Sequence, residues 1–217
     1  MTPTTTVIVM AKAPVAGFAK TRLIPALGAQ GAAALALRLL QHAVEQALTA
    51  GLGPVELCCA PDQHHTAFAG VSDAPGLLKS DQGDGDLGAR MARAFERRLA
   101  LDGAVLLIGT DAPALDAAML RHAADALADT DAVFVPALDG GYALVGLRRP
   151  APSLFDAMTW SVPTVLAHTR ERLAAAGLHH TELPALADID EAADLVHLPE
   201  GFLAQHAACA APATGLP

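Results

Sequence analysis

The chain has 217 residues, 53% of them hydrophobic, with 14 Lys+Arg against 23 Asp+Glu for a formal charge of −9. That length suits one domain burying roughly 70% of its unfolded surface, and the apolar fraction excludes a disordered chain. The acidic balance excludes sequence-blind nucleic-acid binding, which needs a dense basic face, but leaves room for a local phosphate site.

Val7 to Ala11 is a continuous apolar run, read as a strand buried on both faces. Lys12 to Pro25 is a loop broken by Pro14, Gly17 and Pro25. From Gly28 to Ala50, Leu35, Leu39, Ala43 and Ala47 recur at helical spacing until Gly51 stops the helix. Val55 to Ala60 is a second strand, Asp62 to Phe68 a short helix, and Leu77-Leu78 part of a weaker third strand. Leu87 to Leu101 reads as a helix with Arg90, Arg93, Arg97 and Arg98 towards solvent.

Ala104 to Ile108 is the clearest buried strand, and after a loop Asp116 caps a helix to about Ala128. Asp131 to Pro136 and Tyr142 to Leu147 are strands too close together for a helical crossover, so they are not a simple βαβ unit. Ser161 and Pro163 announce a helix through Ala176. A short strand at Leu178 to Leu183 and a small helix at Glu191 to Leu195 follow. The pattern predicts an α/β fold: a mostly parallel sheet, helices on both faces and a local antiparallel segment. Residues 1–200 form one expected domain and 201–217 an Ala-rich tail.

Cys58, Cys59 and Cys209 make no metal pattern, and a sparse, odd count suits a reducing compartment. Met1 to Thr6 lacks a basic signal region. No run reaches the ~18 unbroken apolar residues of a spanning helix, the best candidate being broken by Arg38. The expectation is a cytoplasmic protein with neither a membrane nor a nucleic-acid partner. The composition leaves the oligomeric state open.

In sheets of this kind, ligands bind off the carboxyl ends of the strands. The loop after the first strand concentrates Lys12, Lys20, Thr21 and Arg22 in an acidic protein, with Gly17 allowing close backbone approach. It suits a di- or triphosphate, although Gly17 and Lys20 are not spaced as in a Walker A loop. Asp111, after the Ala104 to Ile108 strand, is placed to hold Mg²⁺ or Mn²⁺, with substrate phosphates and water filling the other positions.

Asp139-Gly140-Gly141-Tyr142 reads equally as a hairpin turn and as a surface for a sugar or phosphate. Asp188 and Asp190 alternate on extended backbone, so both face one way. They complete a metal site or cap the helix at Glu191. Gly83 to Gly88 formally matches G-x-G-x-x-G, but Asp84 and Asp86 sit where a pyrophosphate would, so it is read as a loop opening a helix. Gln82 or Asp86 could reach a nucleotide from there. Trp160 packs, with ring stacking as the lesser alternative. None of the nine histidines receives a role.

Taken in order, Lys12-x-Pro14-x-x-Gly17-x-x-Lys20-Thr21-Arg22-Leu23, Gly83 to Met91, Gly109-Thr-Asp-x-Pro-x-Leu115, Asp139-Gly-Gly-Tyr142, Trp160-Ser161 and Asp188-Ile-Asp190 resemble the bacterial GT-A-type glycosyltransferases, including those named for arsenosugar biosynthesis. The resemblance runs from Val7 to Leu195. It implies a GT-A-like nucleotide-diphospho-sugar transferase fold, shared with molybdenum-cofactor and phospholactate guanylyltransferases. It also implies that Lys12, Gly17, Lys20 and Arg22 contact nucleotide phosphates and that Asp111 holds the metal. Ala143 follows Tyr142 where a second aromatic is expected, and Val162 follows Trp160-Ser161 where a small or hydroxylic residue is usual. A single Asp111 replaces the Asp-x-Asp of related folds.

The resulting expectation is a metal-dependent glycosyltransferase with a nucleotide-sugar donor and an unidentified small-molecule acceptor. Asp139 or a nearby carboxylate would serve as base. A nucleotidyltransferase using NTP and a non-catalytic nucleotide-binding protein are the alternatives.

Overall fold

The computed structural model describes residues 4–202 except 73 and 102. Cys209 and the tail from residue 203 lie outside the described residues. A seven-stranded sheet has the order β3-β2-β1-β4-β6-β5-β7, built from β1 (Thr5–Lys12), β2 (Val55–Ala60), β3 (Leu77–Asp81), β4 (Ala104–Ile108), β5 (Ala132–Pro136), β6 (Tyr142–Leu147) and β7 (His180–Glu182). The pairs β1–β2, β1–β4, β2–β3 and β5–β7 are parallel. β6 runs antiparallel to both neighbours, β4 and β5. The local reversal expected between Pro136 and Tyr142 is therefore a hairpin inside an otherwise parallel sheet.

Helices α1 (Ile24–Ala50), α2 (Ala69–Ser72), α3 (Leu87–Leu99), α4 (Ala117–Ala126) and α5 (Val165–Ala175) complete the fold. Alternation along β1 divides the core. Val7, Val9 and Ala11 face Leu40 and Val44 of α1 and Leu120 of α4, whereas Ile8 faces the layer containing Met91 and Phe95 of α3 and Leu166 of α5. A third cluster packs Leu23, Leu35 and Leu39 against Ile189 and Phe202, which brings the late irregular segment back to the start of α1. Gly28, at φ 70° and ψ 164°, interrupts α1, so its regular part begins where the apolar periodicity does. By length and mean hydropathy the helical stretch Thr21–Ala50 could cross a membrane. Here Leu39, Leu40, Val44 and Ala47 are buried against the rest of the protein.

Of the α3 arginines, Arg93 is exposed as expected, whereas Arg97 and Arg98 depart from the solvated face. Arg97 and Arg98 both pair with Glu56 of β2, whose side chain is 1% exposed. Arg90 donates to the Gly85 carbonyl and Arg93 to that of Asp84, both at 2.9 Å. The long guanidinium side chains of Arg97 and Arg98 reach inward to a buried carboxylate that needs countercharge. Asp86 and Asp116 cap α3 and α4, each accepting a backbone N–H three residues on at 2.8 Å.

Candidate functional site

The loops after β1, β4 and β5, together with residues 188–190, meet at one end of the sheet. The Ile189 side chain is buried in the third core cluster, and its N–H donates to the Asp111 carbonyl at 2.8 Å. On the extended backbone this anchor leaves Asp188 and Asp190 facing the site. The last helical turn is capped by Glu191 in a reciprocal box with Asp194, whose Oδ2 accepts the N–H groups of Asp190 and Glu191 at 3.0 and 2.7 Å.

Lys20 lies at the centre. Its backbone is left-handed, at φ 48° and ψ 47°, and its side chain is 8% exposed. The ammonium lies 2.7 Å from Asp111 Oδ1 and 3.1 Å from Asp190 Oδ1, and donates to the Ile189 carbonyl at 2.5 Å. Arg22 reaches Asp190 Oδ2 at 3.4 Å with its guanidinium largely in solvent. The expected loop is shorter than Lys12 to Pro25: Lys12 ends β1, Gly17 lies in the loop and Thr21 opens a 3-10 turn before α1, all three exposed. Gln82 turns inward: its Nε2 donates to the Ala11 and Cys58 carbonyls at 3.0 Å each, and its Oε1 accepts from Arg90. It ties β1, β2 and α3 together beneath the loop.

On the other side of Asp111 and Asp190 opens a cavity of about 280 Å³. Met10, Met91, Leu107, Val145 and Trp160 supply its apolar lining, while Asp111, Asp139, Asp188 and Asp190 supply carboxylates. Gly140 and Gly141 turn the β5–β6 hairpin, and the Gly141 N–H holds Asp139 Oδ1 at 2.8 Å. Gly140 has φ 92°, and a Cβ there would lie 2.1 Å from the Pro163 carbonyl oxygen. The hairpin is thereby pressed against the entry to α5, where Leu166 N–H donates to the Gly140 carbonyl at 3.0 Å. The Tyr142 ring lines the cavity, and burial pushes its hydroxyl above the ordinary range. The Trp160 indole packs on the first turn of α3, where a Cβ on Gly88 would lie 2.9 Å from Nε1. Ser161 beside it has φ 60°, so two of the three non-glycine residues with positive φ among the described residues, Lys20 and Ser161, border the site.

The electrostatics are unbalanced on the cavity side. Burial, reinforced by the charges of Asp139, Asp190 and Asp111, raises the Asp188 carboxyl above its ordinary value. Among the described residues, no three of His, Cys, Asp or Glu converge as a ready metal site. The donor set nevertheless fits a hard divalent cation held by one or two carboxylates and completed by phosphate oxygens and water.

Fold comparisons agree with this architecture. A crystal structure from Desulfovibrio desulfuricans G20, provisionally named a nucleotide-diphospho-sugar transferase, matches with a TM-score of 0.81 at 29% identity, covering 88% of this chain and 84% of that one. A nucleotidyl transferase from Methanothermobacter matches at 0.63 and 17% identity, over 93% and 98% of the two chains. A CMP-2-keto-3-deoxy-manno-octonic acid synthetase complexed with CTP matches at 0.57 and 13% identity, over 89% and 95%. The first two are transferases by name and the third is a synthetase; the two more distant ones bear on the fold alone. The comparison with curated proteins returned no match. A family model described as an uncharacterized protein conserved in bacteria, DUF2064, matches residues 33–162, spanning Asp111, the Asp139–Tyr142 hairpin and Trp160. With more than half of its length matched, the chain belongs to the DUF2064 family, on a nucleotide-diphospho-sugar transferase fold.

Proposed function

We propose that this protein is a cytoplasmic, metal-dependent glycosyltransferase that uses a nucleotide-sugar donor and a small-molecule acceptor. One observation carries the reading: Asp111 and Asp190 form the common wall between a basic loop and an apolar-lined cavity. Phosphates on the loop side and a sugar on the cavity side would place the scissile bond at that wall. Lys12, Lys20 and Arg22 supply countercharge, Gly17 lets the backbone approach, and Thr21 adds a hydroxyl donor. Gln82 holds the loop's floor.

Asp111, with Asp190 or Asp188, would hold Mg²⁺ or Mn²⁺, which when bound neutralises charge on the departing diphosphate. Asp139, fixed through one oxygen by Gly141, has its other oxygen available to accept an acceptor hydroxyl's proton. Gly140 and Gly141 offer a close backbone surface, and Tyr142 and Trp160 flank the sugar or acceptor. Residues 1–200 act as one such domain in this reading.

Nucleotidyl transfer from NTP is the second reading, favoured by one fold neighbour named a nucleotidyl transferase and another, a synthetase, that holds CTP. A thermal-shift screen with Mg²⁺ or Mn²⁺ separates the two, because a ligand at 100 times its Kd stabilises by about 2.7 kcal/mol. Stabilisation by UDP- or GDP-sugars, followed by nucleoside diphosphate release, supports glycosyl transfer. Stabilisation by NTP alone, with pyrophosphate release, supports the second reading. Stabilisation by nucleotide without turnover of either kind supports a non-catalytic binder.

A further inference from the structure

The Lys20 ammonium lies where a cation shared by Asp111 and Asp190 would lie. It donates hydrogen bonds to the Ile189 carbonyl at 2.5 Å and to Asp190 Oδ1 at 3.1 Å, and forms an ion pair with Asp111 Oδ1 at 2.7 Å. The side chain is almost wholly enclosed, and its backbone is held in a left-handed conformation that an L-residue seldom adopts. A lysine whose sole task was to meet incoming phosphate would gain nothing from this enclosure.

We propose that Lys20 is a tethered cation that occupies the Asp111–Asp190 pair in the resting protein and must be drawn off by ligand phosphate before a divalent ion binds there. The inference rests on the metal-and-phosphate reading of the site. An ammonium and a divalent ion bound to the same carboxylate oxygens would repel each other strongly at this separation. Metal ligands also need oxygens near 2.0–2.1 Å for Mg²⁺, closer than the ammonium contacts. Metal alone would therefore bind weakly. Phosphate arriving over the basic loop offers the ammonium a new partner and frees the carboxylates, so metal and phosphate binding are positively coupled. Each ligand must strengthen the other by the same factor.

The test measures binding of Mn²⁺ alone, from the loss of the free-ion electron paramagnetic resonance signal. It compares the wild type, Lys20→Met, Lys20→Gln, Asp111→Asn and Lys20→Met/Asp111→Asn, with circular dichroism confirming the fold of each. The expected result is that both Lys20 single variants bind Mn²⁺ about tenfold more tightly than wild type or better, and that the double variant loses this gain. Equal Mn²⁺ affinity in wild type and the folded Lys20 single variants overturns the tethered-cation role. In that case Asp111→Asn alone still weakens Mn²⁺ binding if the metal reading is sound. Mn²⁺ binding indifferent to Asp111 overturns the metal reading, and the inference with it.

Discussion

The Ile189 N–H donates to the Asp111 carbonyl at 2.8 Å, joining the loop after β4 to a segment near the end of the described chain. The same residue's carbonyl accepts the Lys20 ammonium. One buried hydrophobic anchor thus positions the two carboxylates that flank it, and three separate loops share one charge cluster.

Asp111→Asn is expected to abolish the metal dependence of nucleotide binding, and Asp190→Asn to weaken it. Calorimetric titration of nucleotide with and without Mn²⁺ checks this. An unchanged difference between the two titrations in folded Asp111→Asn would place the ion elsewhere.

Asp188→Asn is expected to stabilise the free protein at neutral pH by about 0.5–2 kcal/mol, the usual range for relieving a local charge conflict. The Asp188 carboxyl is half-buried among Asp139, Asp190 and Asp111. Urea unfolding measures the gain, and a loss of stability would mean that Asp188 makes a compensating contact as an anion.

Arg98→Ala is expected to destabilise by about 1–3 kcal/mol, because Glu56 stays buried with only Arg97 and Ser80 left to satisfy it. Burial alone would push the Glu56 carboxyl up, but hydrogen bonds from Ser80, Arg97 and Arg98 outweigh it and hold the group below its ordinary value of 4.5. A depressed folded value means that the stabilisation is fully present above the unfolded value and lost as pH falls through the folded one. The gap between wild type and Arg98→Ala should therefore narrow below about pH 4. Thermal melts from pH 7 to 3 show whether it does.

Gly140→Ala is expected to destabilise by about 2 kcal/mol or more, since it combines positive φ with a collision against the Pro163 backbone. Gly17→Ala, also at positive φ but with open space around its Cβ position, should lose only about 1 kcal/mol. Chemical denaturation of both variants compares them directly, and equal losses would refute the packing role of the hairpin tip.

Trp160 is the only tryptophan and lines the cavity. A nucleotide sugar should change its emission, whereas inorganic phosphate on the basic loop should not. A fluorescence titration reads this, and identical responses to the two ligands would remove the indole from the sugar side.

Periodicity alone was enough for the layers of the fold. Val7 to Ala11 and Ala104 to Ile108 are apolar without interruption because both faces of a central strand are covered, and the short Pro136–Tyr142 connection permits nothing but a hairpin. The loops carrying Lys12 to Arg22, Asp111, Asp139 and Asp188 to Asp190 were also visible as charged or glycine-rich breaks after strands. Their mutual arrangement was not, because a side chain's partner across the fold leaves no mark on local spacing. Lys20 reads as a phosphate ligand, but no local spacing tells that the burial of Ile189 brings Asp190 beside Asp111 and encloses the ammonium between them. Arg97 and Arg98 read as solvent-facing until Glu56, whose position on β2 is set by strand pairing, turns out to be the buried charge they must neutralise. Such outcomes are decided by desolvation, which depends on what the finished fold covers.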